Sequence, residues 1–134
     1  MKTIKLMSLC AIAIIMASCA KKVKIDVKTG IEGKGMVFLE RVYVDHSEII
    51  DSTEINRKGN FSFKVVLPKY PELYRVRTQF GNVILGIDSA TEKVSVVVPD
   101  SSFFDAQIEG SEQSADIQRL RKSNNDLQQL AFKR

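Results

Sequence analysis

The chain has 134 residues, 44% hydrophobic and 27% charged, which suits one domain with its own core. Lysine and arginine number 20 against 16 acidic residues for a net charge of +4, yet no arginine-rich run is interleaved with aromatics, which excludes a nucleic-acid-binding surface of the usual kind. The only two cysteines are Cys10 and Cys19, so the chain beyond residue 19 has no thiol with which to form a disulfide or do redox chemistry.

Residues 1–18 read as a bacterial export signal. Lys2 and Lys5 form a positive n-region, and residues 6–17 form an apolar h-region. A membrane span needs roughly 20 apolar residues, so a cleaved signal is expected rather than a permanent helix. Met16-Ala17-Ser18-Cys19 places small residues directly before a cysteine, as a lipobox does, with Met16 where Leu is usual. Its chemistry is cleavage between Ser18 and Cys19, a diacylglyceryl group on the Cys19 thiol, and acylation of the new N-terminus. Each buried CH₂ contributes ~0.8 kcal/mol, so two or more chains anchor stably where one does not. Two alternatives are an ordinary signal peptide cut near Ala17 or Ala20, and an uncleaved anchor helix. Lys2 and Lys5 leave with the signal, so the mature charge is lower by two. Residues 19–22 then form the lipidated cysteine and a basic linker. Near anionic headgroups Lys21, Lys22 and Lys24 would each add about 1 kcal/mol of attraction. The plainer reading is a solvated basic linker.

Residues 23–110 read as short strands separated by turns. Val23, Ile25 and Val27 alternate with Lys24, Asp26 and Lys28, a period of two. Met36 to Val44 is the next strand, and its apolar phase slips between Leu39 and Val42, which predicts a bulge near Glu40-Arg41. Ile49 to Ile55 continues through Asp51, Ser52 and Thr53. Asn56-Arg57-Lys58-Gly59 predicts a hairpin turn, with Gly59 at the positive φ of a G1 bulge. Phe61 and Phe63 should share one face and enter the core. Pro68 and Pro71 end that strand. Leu73, Arg75 and Arg77 should oppose Tyr74, Val76 and Thr78. Val83 to Ile87, Val94 to Val98, and Phe103 to Glu109 follow. Strands at this spacing predict an all-β fold, an antiparallel β-sandwich.

After Gly110 the pattern changes. Residues 111–134 contain neither proline nor glycine. Ser111 or Ser114 can cap a helix. Ile117, Leu120, Leu127 and Leu130 recur at helical spacing, with Asn124 in the same stripe. This predicts a C-terminal helix that packs on the sandwich by that stripe. The sharper alternative is a connector or dimerisation helix with Asn124 setting the register.

Three segments carry a family resemblance: Ile50-Asp51-Ser52-Thr53, Gly59-Asn60-Phe61-Ser62-Phe63, and Pro71-Glu72-Leu73-Tyr74. Ile108-Glu109-Gly110-Ser111 before a polar helix adds to it. Together they resemble a small β-domain of unknown function, found N-terminal to the thioredoxin-like domain of Gram-negative envelope lipoproteins. The resemblance covers roughly residues 23–130. It implies an accessory role beside a thiol–disulfide protein. The chain departs from that architecture in having no Cys-x-x-Cys, so no redox residue is carried over. Two readings stay open: a stand-alone copy of the accessory domain, or a piece of a longer thioredoxin-like oxidoreductase.

No catalytic constellation is expected. His46, the only histidine, has Asp45 and Glu48 nearby, but one histidine and two carboxylates in a turn read as a solvated loop rather than a metal site. Ser52 beside Asp51 has no base to activate it. Gly30, Gly33 and Gly35 are too sparse for a phosphate loop. Tyr43, Tyr70 and Tyr74 with Phe80 suggest an aromatic sugar platform only weakly, without tryptophan. The expectation is therefore a non-catalytic, lipid-anchored envelope module with no cofactor and no metal. It would face the periplasm, with membrane lipid and an envelope protein as partners. The alternative is a glycan- or peptide-binding β-sandwich.

Overall fold

The computed structural model describes residues 20–31, 35–99 and 102–132. Ser18, Cys19 and the signal segment lie outside the described residues. The elements are β1 (Lys22–Lys28), β2 (Met36–Val42), β3 (Ser47–Glu54), β4 (Asn60–Val66), β5 (Glu72–Thr78), β6 (Gly81–Ile87), β7 (Lys93–Val97), a 3-10 turn (Phe103–Asp105), β8 (Gln107–Glu109) and the helix α1 (Glu112–Phe132).

Two four-stranded sheets face each other. One has the order β4-β1-β7-β8, the other β3-β2-β5-β6. Period-two alternation puts Val23, Ile25, Val27, Phe61, Phe63, Val94 and Val96 of the first sheet against Val37, Leu39, Tyr74, Val76, Val83 and Leu85 of the second, and all are buried. Phe61 and Phe63 meet edge to face with ring centroids 6.0 Å apart. Burying each contributes roughly 1.5–3 kcal/mol.

The sandwich is not purely antiparallel. β1 pairs antiparallel with β4 but parallel with β7, in register Ile25 to Val94 and Val27 to Val96. The chain crosses from β6 in one sheet to β7 in the other, so β7 arrives running with β1 rather than against it. A bulge lies at the expected level of the sheet, but its extra residue is on β3 rather than at Glu40-Arg41 of β2. Leu39 pairs with Asp51 and Glu40 with Ile49, leaving Ile50 as the extra residue on β3.

The turn at residues 56–59 forms as expected, but the strands it joins do not stay paired. The Asn56 amide donates to the Asn60 carbonyl at 3.1 Å and the Gly59 amide to the Asn56 carbonyl at 3.0 Å. β3 then stays in one sheet while β4 enters the other. Thr29 draws the turn across, its amide and hydroxyl both donating to the Gly59 carbonyl at 3.0 and 2.7 Å. Gly59 has φ of +80°, and a Cβ there would lie 2.8 Å from the Ile31 carbonyl oxygen.

The segment expected as one last strand, Phe103 to Glu109, is a 3-10 turn followed by a three-residue strand. Phe103 is buried in that turn. α1 corrects a second expectation. Leu120, Leu127 and Leu130 are each 63% exposed, while Ser114 and Gln118 are buried. The helix packs mainly by a polar face, and of the expected apolar stripe Ile117 is half-buried, beside Gly86. Ser111 and Ser114 hydroxyls donate to the Gly86 carbonyl at 2.6 and 3.2 Å, and the Gly86 amide donates to the Ser114 hydroxyl at 2.8 Å. The Gln118 side-chain amide donates to the carbonyls of Phe103 and Phe104, both at 2.8 Å. β6 is the edge of its sheet, and the serine bonds cover it at Gly86, while Gln118 ties the helix to the 3-10 turn.

Candidate functional site

Asp51, Ser52 and Thr53 lie on β3, the other edge of the second sheet. Ser52 is exposed, and the Asp51 carboxylate accepts its amide at 2.8 Å. The acid is thus spent on local backbone and not on the hydroxyl. Gly59 is the turn residue, while Phe61 and Phe63 are core residues on β4. The six positions do not converge on one spot. Gly59 holds the turn between sheets and Phe61 and Phe63 the core, while Asp51 and Ser52 stand exposed on the edge strand.

The charged groups that do converge were not singled out from the sequence. Glu40 lies on β2 between β3 and β5, with its side chain 4% exposed. Arg75 Nη2 donates to its Oε2 at 2.7 Å, Ser47 Oγ to the same oxygen at 3.0 Å, and Arg77 Nε to Oε1. Burial opposes the charge on Glu40, but the bonds from Arg75, Arg77 and Ser47 outweigh it and hold the carboxyl down at about 2. Arg77 also stacks over Phe38, 4.9 Å from the ring centroid. A carboxylate fixed in this way stays ionised near neutral pH, so it is poorly suited to passing protons. The outward placement of Arg75 and Arg77 was legible in the alternation of β5, but that β5 pairs with β2 and sets Glu40 opposite Arg75 was not.

A second group lies at the turn from β2 to β3. His46 Nδ1 is 2.6 Å from Asp45 Oδ1, and Nε2 is 3.7 Å from Glu48 Oε1. The imidazole stacks on Tyr43 at 4.5 Å between centroids. Both ring nitrogens are thereby turned to carboxylates, and Ser52 is not among its partners. No set of three or more histidine, cysteine, aspartate or glutamate side chains forms a metal-binding group among the described residues.

The aromatic platform does not form. Tyr74 faces the core with no exposed surface, and its hydroxyl donates to Glu72 Oε2 at 2.9 Å. Burial raises its phenol above the ordinary value. Tyr70 precedes β5 and Phe80 follows it, so the two stand at opposite ends of that strand.

Helix residue Arg121 closes the other end of the β6 edge. Its guanidinium donates to the Asn82 carbonyl at 3.1 Å and to Asn82 Oδ1 at 2.7 Å. Desolvation and then the nearby Arg75 charge lower its pKa. No helix among the described residues is long and apolar enough to cross a membrane.

Comparison with known proteins gives one match. A family model described as a domain of unknown function, DUF4369, covers residues 22–117. No curated protein and no solved structure matches.

Proposed function

The chain belongs to the DUF4369 family of domains of unknown function, and from that premise we propose that it is a non-catalytic, lipid-anchored module of the Gram-negative cell envelope. The observation that carries the reading is positional. The lipobox Met16-Ala17-Ser18-Cys19 ends three residues before Lys22, where both the family match and β1 begin. A lipidated Cys19 would hold the sandwich against the membrane, most naturally on its periplasmic side. The resemblance to accessory domains of thiol–disulfide lipoproteins makes such a protein the natural partner. The chemistry of the fold supports a holding role: Ser52 lacks a base, and Glu40 is locked as a carboxylate. Metabolic labelling with a tagged fatty acid tests the anchor. Label should enter the wild-type chain in the membrane fraction and be absent from Cys19→Ser. An unlabelled wild-type chain would contradict the reading, as would turnover of envelope substrates by the purified protein.

A second reading, a glycan- or peptide-binding sandwich, draws support from β3. This edge strand is exposed from Ser47 to Ser52 and presents Ile49 and Ile50 to solvent. An extended peptide could add to it as a further strand. Saturable binding of a peptide library, lost when proline replaces Ile50, would favour this reading.

A further inference from the structure

The outer face of the first sheet brings together lysines that are far apart in sequence. Lys24 on β1 pairs directly with Lys64 on β4 and with Lys93 on β7. All three are exposed and form one row across three neighbouring strands. Lys22 and Lys28 extend the row along β1. The outward acids on this face are Asp26 and Glu109, so it carries a net three positive charges. Asp26 is shared, 3.5 Å from Lys24 and 3.2 Å from Lys93.

Like charges directly opposite in a sheet are destabilising. Lysine on an edge strand guards against strand addition, which accounts for Lys64 on β4. β1 and β7 are the inner strands of this sheet, so edge protection does not account for Lys24 and Lys93. The face also exposes two apolar side chains at its ends, Val66 beside Lys22 and Val97 beside Lys28.

We infer that this lysine face is the membrane-facing side of the domain and lies on anionic lipid headgroups. The inference rests on the anchored reading. Two residues, Ala20 and Lys21, separate Cys19 from Lys22, so the three peptide steps between them reach about 10 Å when extended. The tether is short enough to let this face lie flat on the surface, which brings Lys24, Lys64 and Lys93 within the Debye length of about 8 Å at physiological salt. Each lysine at an anionic surface raises partitioning about fivefold. Removal of Lys24, Lys64 and Lys93 together should then weaken adhesion on the order of a hundredfold.

The test uses the protein extracted from membranes and reconstituted in vesicles of phosphatidylcholine, with or without phosphatidylglycerol. Amine-reactive labelling is read residue by residue by mass spectrometry. Lys24, Lys64 and Lys93 should label several-fold less on the anionic vesicles, and high salt should restore them. Lys58 in the turn and Lys122 on the helix should not change. Equal labelling of Lys64 and Lys93 on both vesicles would overturn the inference. So would protection confined to Lys21 and Lys22, which would mean that the sandwich stands upright. Protection by a soluble anionic polysaccharide but not by vesicles would overturn the lipid assignment. Failure of the anchor is distinguishable, because an unlipidated chain would not stay on neutral vesicles at all. Its sedimentation with anionic vesicles, lost in a Lys24→Gln, Lys64→Gln, Lys93→Gln variant, would still support the face. Sedimentation unchanged in that variant would overturn it.

Discussion

The hydroxyl of Ser114 accepts the backbone amide of Gly86 at 2.8 Å, joining helix to sheet edge across 28 residues of sequence. Ser111 Oγ caps the same helix by accepting the Ser114 amide at 3.2 Å, and donates to the Gly86 carbonyl. One glycine thus has both backbone groups satisfied by two helix side chains. A Cβ at Gly86 would come within 3.2 Å of Gln113 Cβ, so the absence of a side chain there permits the approach.

Ser114→Val should therefore leave the buried Gly86 amide without its partner, the carbonyl keeping Ser111, and destabilise the fold by about 1–3 kcal/mol. Urea denaturation measures it. A change below about 0.5 kcal/mol, the range of neutral surface substitutions, would mean that the helix does not depend on this contact.

Gly59→Ala should destabilise by more than a helix-surface change, because it meets both a positive φ and the Ile31 backbone. The strain at such a position is of order 1–3 kcal/mol before the steric term is added. Thermal unfolding should show a clearly lower midpoint, with the Asn60 and Thr29 amides losing hydrogen-exchange protection first. An unchanged midpoint would contradict this account of the turn.

Leu127→Ser and Leu130→Ser should each change stability by less than about 0.5 kcal/mol, since both side chains are exposed. Phe63→Ala, at the centre of the core, should cost roughly 3–5 kcal/mol. Comparable losses at the leucines would show that their stripe is buried in solution.

The contrast between those leucines and Ser114 marks where sequence reading succeeded and where it stopped. Alternation in Val23-Ile25-Val27 and Phe61-Phe63 reports a half-buried strand, because both derive from the same period of two. The place of the bulge was legible, since the apolar phase slips after Leu39, but not its strand: the extra residue is Ile50 on β3. Partner strands are a different matter. The parallel pairing of β1 with β7 is set by where the chain crosses between sheets, and no local pattern records it. The helix misled in a specific way. Its apolar stripe is real, but α1 packs against exposed backbone at an edge, and backbone is best satisfied by serine, glutamine and arginine. Glu40 with Arg75 and Arg77 was hidden because cross-strand partners become visible only once register is known.

Glu40→Gln should destabilise the protein by about 1–3 kcal/mol near neutral pH, by leaving Arg75 and Arg77 without their shared charge. The pH dependence has a definite sign. The folded carboxyl titrates at about 2, below its ordinary 4.5. Its contribution is therefore complete above about 4.5 and lost as pH falls toward 2. Thermal midpoints of wild type and Glu40→Gln should be well separated above that window and converge below it. A separation that does not change with pH would contradict the ionised triad.

The central claim is that Cys19 carries lipid and holds the sandwich to a membrane. Its most direct test is the intact mass of the native protein from a membrane fraction. The account predicts a species that begins at Cys19 and is heavier than its polypeptide by a diacylglyceryl group and an acyl chain. A species with no added lipid, starting elsewhere than Cys19, would contradict it.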